Sequence, residues 1–234
     1  MINEQKTAVE LLIRYLSNKP LKKLPKMFSL VEKLDRGKLY TSQIQAVKKA
    51  LLDEDSNWRR LVENLFAEVD LKVLQKAMEC FIVNANLLGG ARARAAAEKY
   101  DCNIPWAILM DPTSACNISC IGCWAAEYGS KNNLSYEVLD SICRQGKELG
   151  IYFYIFSGGE PLVRKKDLIK LCAAHQDCYF FAFTNGTLVD EEFCQDLLRV
   201  GNFALAFSIE GNEEATDLRR GQGTYQKVIA AMEL

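Results

Sequence analysis

Residues 106–123 read Trp-Ala-Ile-Leu-Met-Asp-Pro-Thr-Ser-Ala-Cys-Asn-Ile-Ser-Cys-Ile-Gly-Cys. An uninterrupted apolar run, Trp106–Met110, gives way to a polar turn and then to three cysteines: Cys116, Cys120 and Cys123. Further apolar runs follow at Ile151–Phe156, Tyr179–Phe183 and Phe203–Phe207. None alternates apolar with polar residues, which predicts strands of a parallel sheet covered on both faces. The intervening segments predict helices over Ser135–Leu149, Lys166–His175 and Asp190–Val200, with Ser135 and Asp190 as N-caps. Another helix is expected to begin near Thr224. Strand–helix alternation at this spacing implies βαβ crossovers.

Each predicted strand hands over to a polar cluster. The cysteines follow the first, and Ser157-Gly158-Gly159-Glu160-Pro161 follows the second. Thr184-Asn185-Gly186 follows the third, and Ser208 and Glu210 close the fourth. In a parallel βα sheet or barrel the C-terminal strand ends form one rim, where sites are built. All four clusters are therefore expected on one rim.

Outward toward the N-terminus the character changes. Residues 1–100 carry 18 Lys/Arg against 12 Asp/Glu, and residues 101–234 carry 11 against 18. Of nine cysteines, only Cys80 lies in the first part. Apolar residues recur at helical spacing in the first part: Val9, Leu12, Ile13 and Leu16, then Trp58, Leu61, Val62, Leu65, Phe66 and Val69, then Leu71 onward. This predicts an all-α domain over 1–100, punctuated by Pro20, Pro25, Gly37 and Gly89-Gly90, with Trp58 in its core. The basic residues are spread out and lack the aromatic interleaving of a single-strand groove, so nucleic-acid binding is not indicated. A helical cap or docking domain is the plain reading, with binding of an acidic partner, anionic lipid or nucleic acid as the alternative.

The chain is 234 residues long, 49% apolar and 25% charged, the balance of an ordinary globular protein. It has no stretch of 18 apolar residues that would span a membrane. Its start, Met1-Ile2-Asn3-Glu4-Gln5-Lys6, lacks a signal-peptide layout. A cytoplasmic location is expected, and cysteines there point to metal or redox chemistry rather than disulfides.

The spacing C-x3-C-x2-C in one loop can wrap a compact metal centre. Thiolate is a soft ligand suited to iron–sulfur clusters or zinc. A four-iron cubane normally takes four thiolates, so three would leave one iron open to another ligand. Structural zinc usually takes four protein ligands, and His175 is expected on a distant helix. Cys102, Cys143, Cys172, Cys178 and Cys194 fit no motif and read as small buried residues.

With Gly-Gly-Glu after the next strand, this spacing resembles the radical S-adenosylmethionine superfamily, over residues from about Pro105 to the end. Ser208-Ile209-Glu210-Gly211 and Arg220-Gly221 resemble its peptide-modifying (SPASM-type) branch. The resemblance implies that Cys116, Cys120 and Cys123 ligate three irons of a 4Fe-4S cluster and that S-adenosylmethionine chelates the fourth. It implies that Gly158, Gly159 and Glu160 lie along the methionine part of that cofactor. Asn185 and Ser208 would contact its ribose or carboxylate, and Glu210, also implied in cofactor binding, stands where Asp is usual. Arg220 would pair with the carboxylate, Arg219 being an equal candidate. Loop caps and surface ion pairs are the structural alternative for this group. Gly122 stands where a bulkier residue often meets the adenine, so Ile121 or Trp124 would supply that contact.

The implied chemistry is reductive cleavage of S-adenosylmethionine to a 5′-deoxyadenosyl radical that abstracts hydrogen. A flavodoxin or ferredoxin would be the reductant, and a peptide is a candidate substrate. The expected fold is an α/β partial parallel (βα) barrel over 101–234, preceded by the helical domain. The family core usually has six βα units and four are counted here, so truncation after the fourth is expected. Two readings compete: a non-catalytic iron–sulfur or zinc module used for sensing, and a degenerate homologue acting through its basic helical domain.

Overall fold

The computed structural model describes residues 20–34 and 41–234. The expected stripe at Val9, Leu12, Ile13 and Leu16, and the break at Gly37, lie outside the described residues. The chain divides into two compact units, Met1–Met78 and Glu79–Leu234.

The first unit holds helices α1 (Pro20–Leu34), α2 (Thr41–Leu52), α3 (Asn57–Glu68) and α4 (Leu71–Ala77). Ser56 caps α3 through Trp58 N, and Asp70 caps α4 through Lys72 N and Val73 N. Leu24 and Phe28 of α1 are buried. Trp58, expected in the core, is 64% exposed, whereas Val62, Leu65 and Phe66 of the same stripe are half-buried. Pro25, read as a break, lies inside α1.

The second unit opens with a π-helix, Met78–Gly89, continuing into α5 (Gly90–Tyr100). Gly89-Gly90 therefore does not end the helix. Gly89 lacks a side chain because its backbone packs against Gly150, whose carbonyl would lie 2.3 Å from a Cβ there. These helices belong with the sheet. Asn84 Nδ2 donates to Asp177 O at 2.9 Å, and Phe81 meets Phe153 edge-on at 5.2 Å. The compact unit thus begins earlier than the change of composition near residue 100.

Four parallel strands follow, β1 (Ile108–Met110), β2 (Phe153–Phe156), β3 (Tyr179–Thr184) and β4 (Phe203–Phe207), in the spatial order β1-β2-β3-β4. Helices α6 (Tyr136–Leu149), α7 (Lys165–Ala174) and α8 (Glu191–Val200) connect them, and α9 (Glu213–Arg220) and α10 (Thr224–Glu233) close the chain. Ser135 and Asp190 cap α6 and α8 as expected. Helix α9 was not legible, since its eight residues carry five charges and only one large apolar side chain.

Register puts Met110, Phe156 and Ala182 side by side. They join Tyr154 and Phe180 in a core with Leu139, Leu168, Leu171 and Phe193 of the connecting helices. Each fully buried Phe or Leu contributes about 1.5–3 kcal/mol. Alternate side chains point the other way. That face is covered at its N-terminal end by Phe81 and Trp106 against Phe153, but Leu109 is 58% and Phe183 47% exposed. The expectation of cover on both faces therefore fails. With strands in sequential order and the connecting helices packed on one face, the sheet is an open arc of a βα barrel rather than a doubly wound sheet. Among the described residues no helix is long and apolar enough to cross a membrane.

Candidate metal and cofactor centre

The loop after β1 is pinned before it reaches its cysteines. Thr113 pairs with Asn133, Oγ1 to Oδ1 at 2.5 Å, and Ser114 N donates to Asn132 O at 2.8 Å. The turn after β2 then lies directly against it. Gly159 N donates to Thr113 O at 2.9 Å and Glu160 N to Ala115 O at 2.8 Å. A Cβ at Gly158 would lie 2.6 Å from Thr113 O, and one at Gly159 would lie 2.2 Å from Ala115 O. Gly158 also has φ +102°. The two glycines are thus required by the approach of one loop's backbone to the other.

Glu160 braces the same junction. Its side chain is 1% exposed. Oε1 accepts from Leu162 N at 2.9 Å and Thr184 Oγ1 at 2.7 Å, and Oε2 accepts from Asn185 N at 2.7 Å. Burial raises its pKa, while these donors and the charge of Arg220 oppose the rise. Asn185 carries the brace on to the cysteine loop. Its Nδ2 donates to Asn117 Oδ1 at 2.9 Å and faces Cys116 Sγ at 3.9 Å, while Oδ1 accepts from Thr187 N and Oγ1.

Helix α9 grips the loop from the other side. Ile121 N donates to Arg219 O at 2.8 Å, and Arg219 Nε reaches Ile121 O at 3.4 Å. Glu210 Oε1 accepts from Arg219 Nη1 at 2.9 Å and from Arg220 Nε and Nη2 at 2.9 and 2.6 Å. These bonds hold the Glu210 pKa below its ordinary value. Ser208 follows β4 directly, its N donating to Thr184 O at 2.9 Å.

The three thiols share one local field. Burial raises the Cys120 pKa, the Arg220 and Arg219 charges lower it, and the Cys116 and Cys123 thiolates raise it. Three thiolates so close repel, and a cationic centre relieves that repulsion. Three soft thiolate donors within one eight-residue loop suit a soft metal centre, such as an iron–sulfur cluster or zinc. The other cysteines divide. Cys143, Cys172 and Cys178 are fully buried, with Cys143 pushed up to about 12 by burial, whereas Cys102 is exposed and Cys194 half-buried.

The structure brings Cys116, Cys120, Cys123, Gly158, Gly159, Glu160, Asn185, Ser208, Glu210 and Arg220 to one rim. Asn117, Thr187, Thr113 and the Ile121–Arg219 pairing were missed, because each acts through a partner remote in sequence. A cavity of about 510 Å³ opens beside the loop between Asp111, Gly158, Trp124 and Tyr128. Ile121 and Trp124 are exposed beside the cysteines.

Fold and rim together define a parallel βα protein that gathers three thiols in one loop at the C-terminal ends of its strands. The family model described as the Radical SAM superfamily matches residues 110–234, and the chain belongs to that superfamily. It is 34% identical over 130 residues to Fe-coproporphyrin III synthase of Methanosarcina barkeri, covering 53% of this chain and 32% of that protein. It is 32% identical over 136 residues to PqqA peptide cyclase of Gluconobacter oxydans, covering 56% and 38%. The chain thus spans about a third of these curated relatives. The solved structure of Streptococcus suis SuiB bound to S-adenosylmethionine shares the fold at TM-score 0.50 and 18% identity, over 78% of this chain and 44% of that one.

Proposed function

We propose that this chain carries the cofactor-binding core of a radical S-adenosylmethionine enzyme, with Cys116, Cys120 and Cys123 holding three irons of a 4Fe-4S cluster. When bound, the group supplies one-electron reduction of the sulfonium to methionine and a 5′-deoxyadenosyl radical, which abstracts hydrogen from an unreactive C–H bond. The observation that carries this reading is the cysteine loop hydrogen-bonded along the Gly158-Gly159-Glu160 turn.

This chain's residues have separable tasks. Thr113 and Ser114 fix the loop backbone ahead of Cys116, and Ile121 fixes it between Cys120 and Cys123. Asn185 Nδ2 directs a donor toward Cys116 Sγ, and Arg220 and Arg219 offset negative charge at Cys120. Backbone carbonyl oxygens of the Gly158-Gly159-Glu160 turn would meet an ammonium donor, with the buried Glu160 side chain bracing them. Ser208 offers a polar contact at the end of β4. Arg220 would exchange Glu210 for the cofactor carboxylate, a bidentate match for guanidinium.

A flavodoxin or ferredoxin would supply electrons, which suits a reducing cytoplasm. Similarity to PqqA peptide cyclase supports a peptide substrate, and similarity to Fe-coproporphyrin III synthase supports a precursor of such a porphyrin as the second reading. The test is anaerobic reconstitution, dithionite reduction and assay of 5′-deoxyadenosine, with and without candidate peptides. Deoxyadenosine dependent on Cys116 is expected. A folded, fully loaded protein that releases none overturns the reading.

A further inference from the structure

At the end of β3 away from the cysteine loop, the turn His175-Gln176-Asp177-Cys178 leads α7 into the strand. A ring nitrogen of His175, a carboxylate oxygen of Asp177 and Cys178 Sγ all lie within 4.8 Å of one another. The turn is rigidly held. Cys178 N donates to His175 O at 3.0 Å. Asn202 Nδ2 reaches the carbonyls of Cys172, His175 and Cys178 at 3.1, 3.1 and 3.0 Å.

A second observation comes from the imidazole. His175 is 3% exposed, and its Nδ1 is buried with no hydrogen-bond partner among the described residues. Its Nε2 lies 2.9 Å from Asp140 Oδ1. An ionised carboxylate only accepts, so this contact puts the ring proton on Nε2 and leaves Nδ1 a bare lone pair. A metal-bound histidine characteristically donates its other N–H to a carboxylate in this way.

We propose that His175, Asp177 and Cys178 form a second site, separate from the cysteine loop, for a divalent cation of the zinc class. Imidazole, carboxylate and thiolate are all zinc ligands, and three protein ligands leave the fourth position to water. Binding releases the Cys178 thiol proton to solvent. In the metal-free chain Lys147 Nζ occupies the carboxylate, at 3.1 and 3.3 Å from Asp177 Oδ1 and Oδ2. Lys147 therefore competes with the cation.

The test uses the full chain with Cys116, Cys120 and Cys123 changed to serine, so that its outcome is independent of the radical reading. Anaerobic titration with Co²⁺, followed by thiolate-to-cobalt absorption, reads the site. About one cobalt per chain is expected, with the band lost in Cys178→Ala and affinity lowered about 10–100-fold in Asp140→Asn. Lys147→Met is expected to bind more tightly. Zinc is expected to raise the melting temperature of the triple-serine chain but not of its His175→Ala form, with circular dichroism establishing that each is folded. No band in folded protein, an unchanged band in Cys178→Ala, or no response to Asp140→Asn or Lys147→Met overturns the proposal.

Discussion

At the residue scale, Gly159 and Glu160 hold the rim together. Gly159→Ala would set a methyl group 2.2 Å from Ala115 O, and a backbone carbonyl cannot step aside cheaply. Overpacking of this kind costs about 1–3 kcal/mol. The expected result is a lower urea midpoint together with reduced iron uptake, since the displaced residue is next to Cys116. Glu160→Gln keeps the shape but turns one oxygen into a donor. The buried Asn185 or Thr184 donor then loses its acceptor, at about 1–3 kcal/mol. Urea unfolding is expected to show that loss, and an unchanged midpoint would mean the brace is dispensable. The types Cys, Gly and Glu at this spacing were legible in the sequence, because each answers a local demand. The pairing of Asn117 with Asn185 was not, since it joins side chains 68 positions apart.

At the element scale, helix caps and the α9 clamp carry the argument. Ser135 Oγ accepts from Val138 N at 3.3 Å, and Ser135→Ala should cost about 1 kcal/mol without touching the rim. A lowered melting temperature with unchanged iron content is expected. The α9 clamp responds to acid. Glu210 has a folded-state pKa below its ordinary value of about 4.3, so its stabilisation is complete above that value. It is lost as pH falls through the lowered folded pKa. Hydrogen exchange at the Ile121 amide should therefore quicken at acid pH beyond the intrinsic rate, and Glu210→Gln should flatten that response. All four strands and all three connecting helices were readable from apolar runs and caps to within two residues. Helix α9 was not, because charge masks its periodicity. Strand β1 came out shorter than its apolar run, since Trp106 turns aside to pack on Phe81.

At the scale of the whole molecule, an open arc of four strands in sequential order presents its C-terminal ends on one side. The connecting helices insulate one face, while Leu109 and Phe183 remain exposed on the other. Runs of apolar residues announced the strands but not this asymmetry. A strand buried on both faces and one lining a barrel interior read alike when the interior is apolar. The convergence of four polar clusters was legible, because parallel topology alone dictates it.

In the proposed function, three thiolates in one loop hold a cluster with one iron open to S-adenosylmethionine. Electron paramagnetic resonance of the reduced, reconstituted chain, recorded with and without S-adenosylmethionine, is the decisive experiment. A cluster signal whose shape changes on adding S-adenosylmethionine is expected. A fully loaded cluster whose signal is indifferent to that addition refutes the proposal.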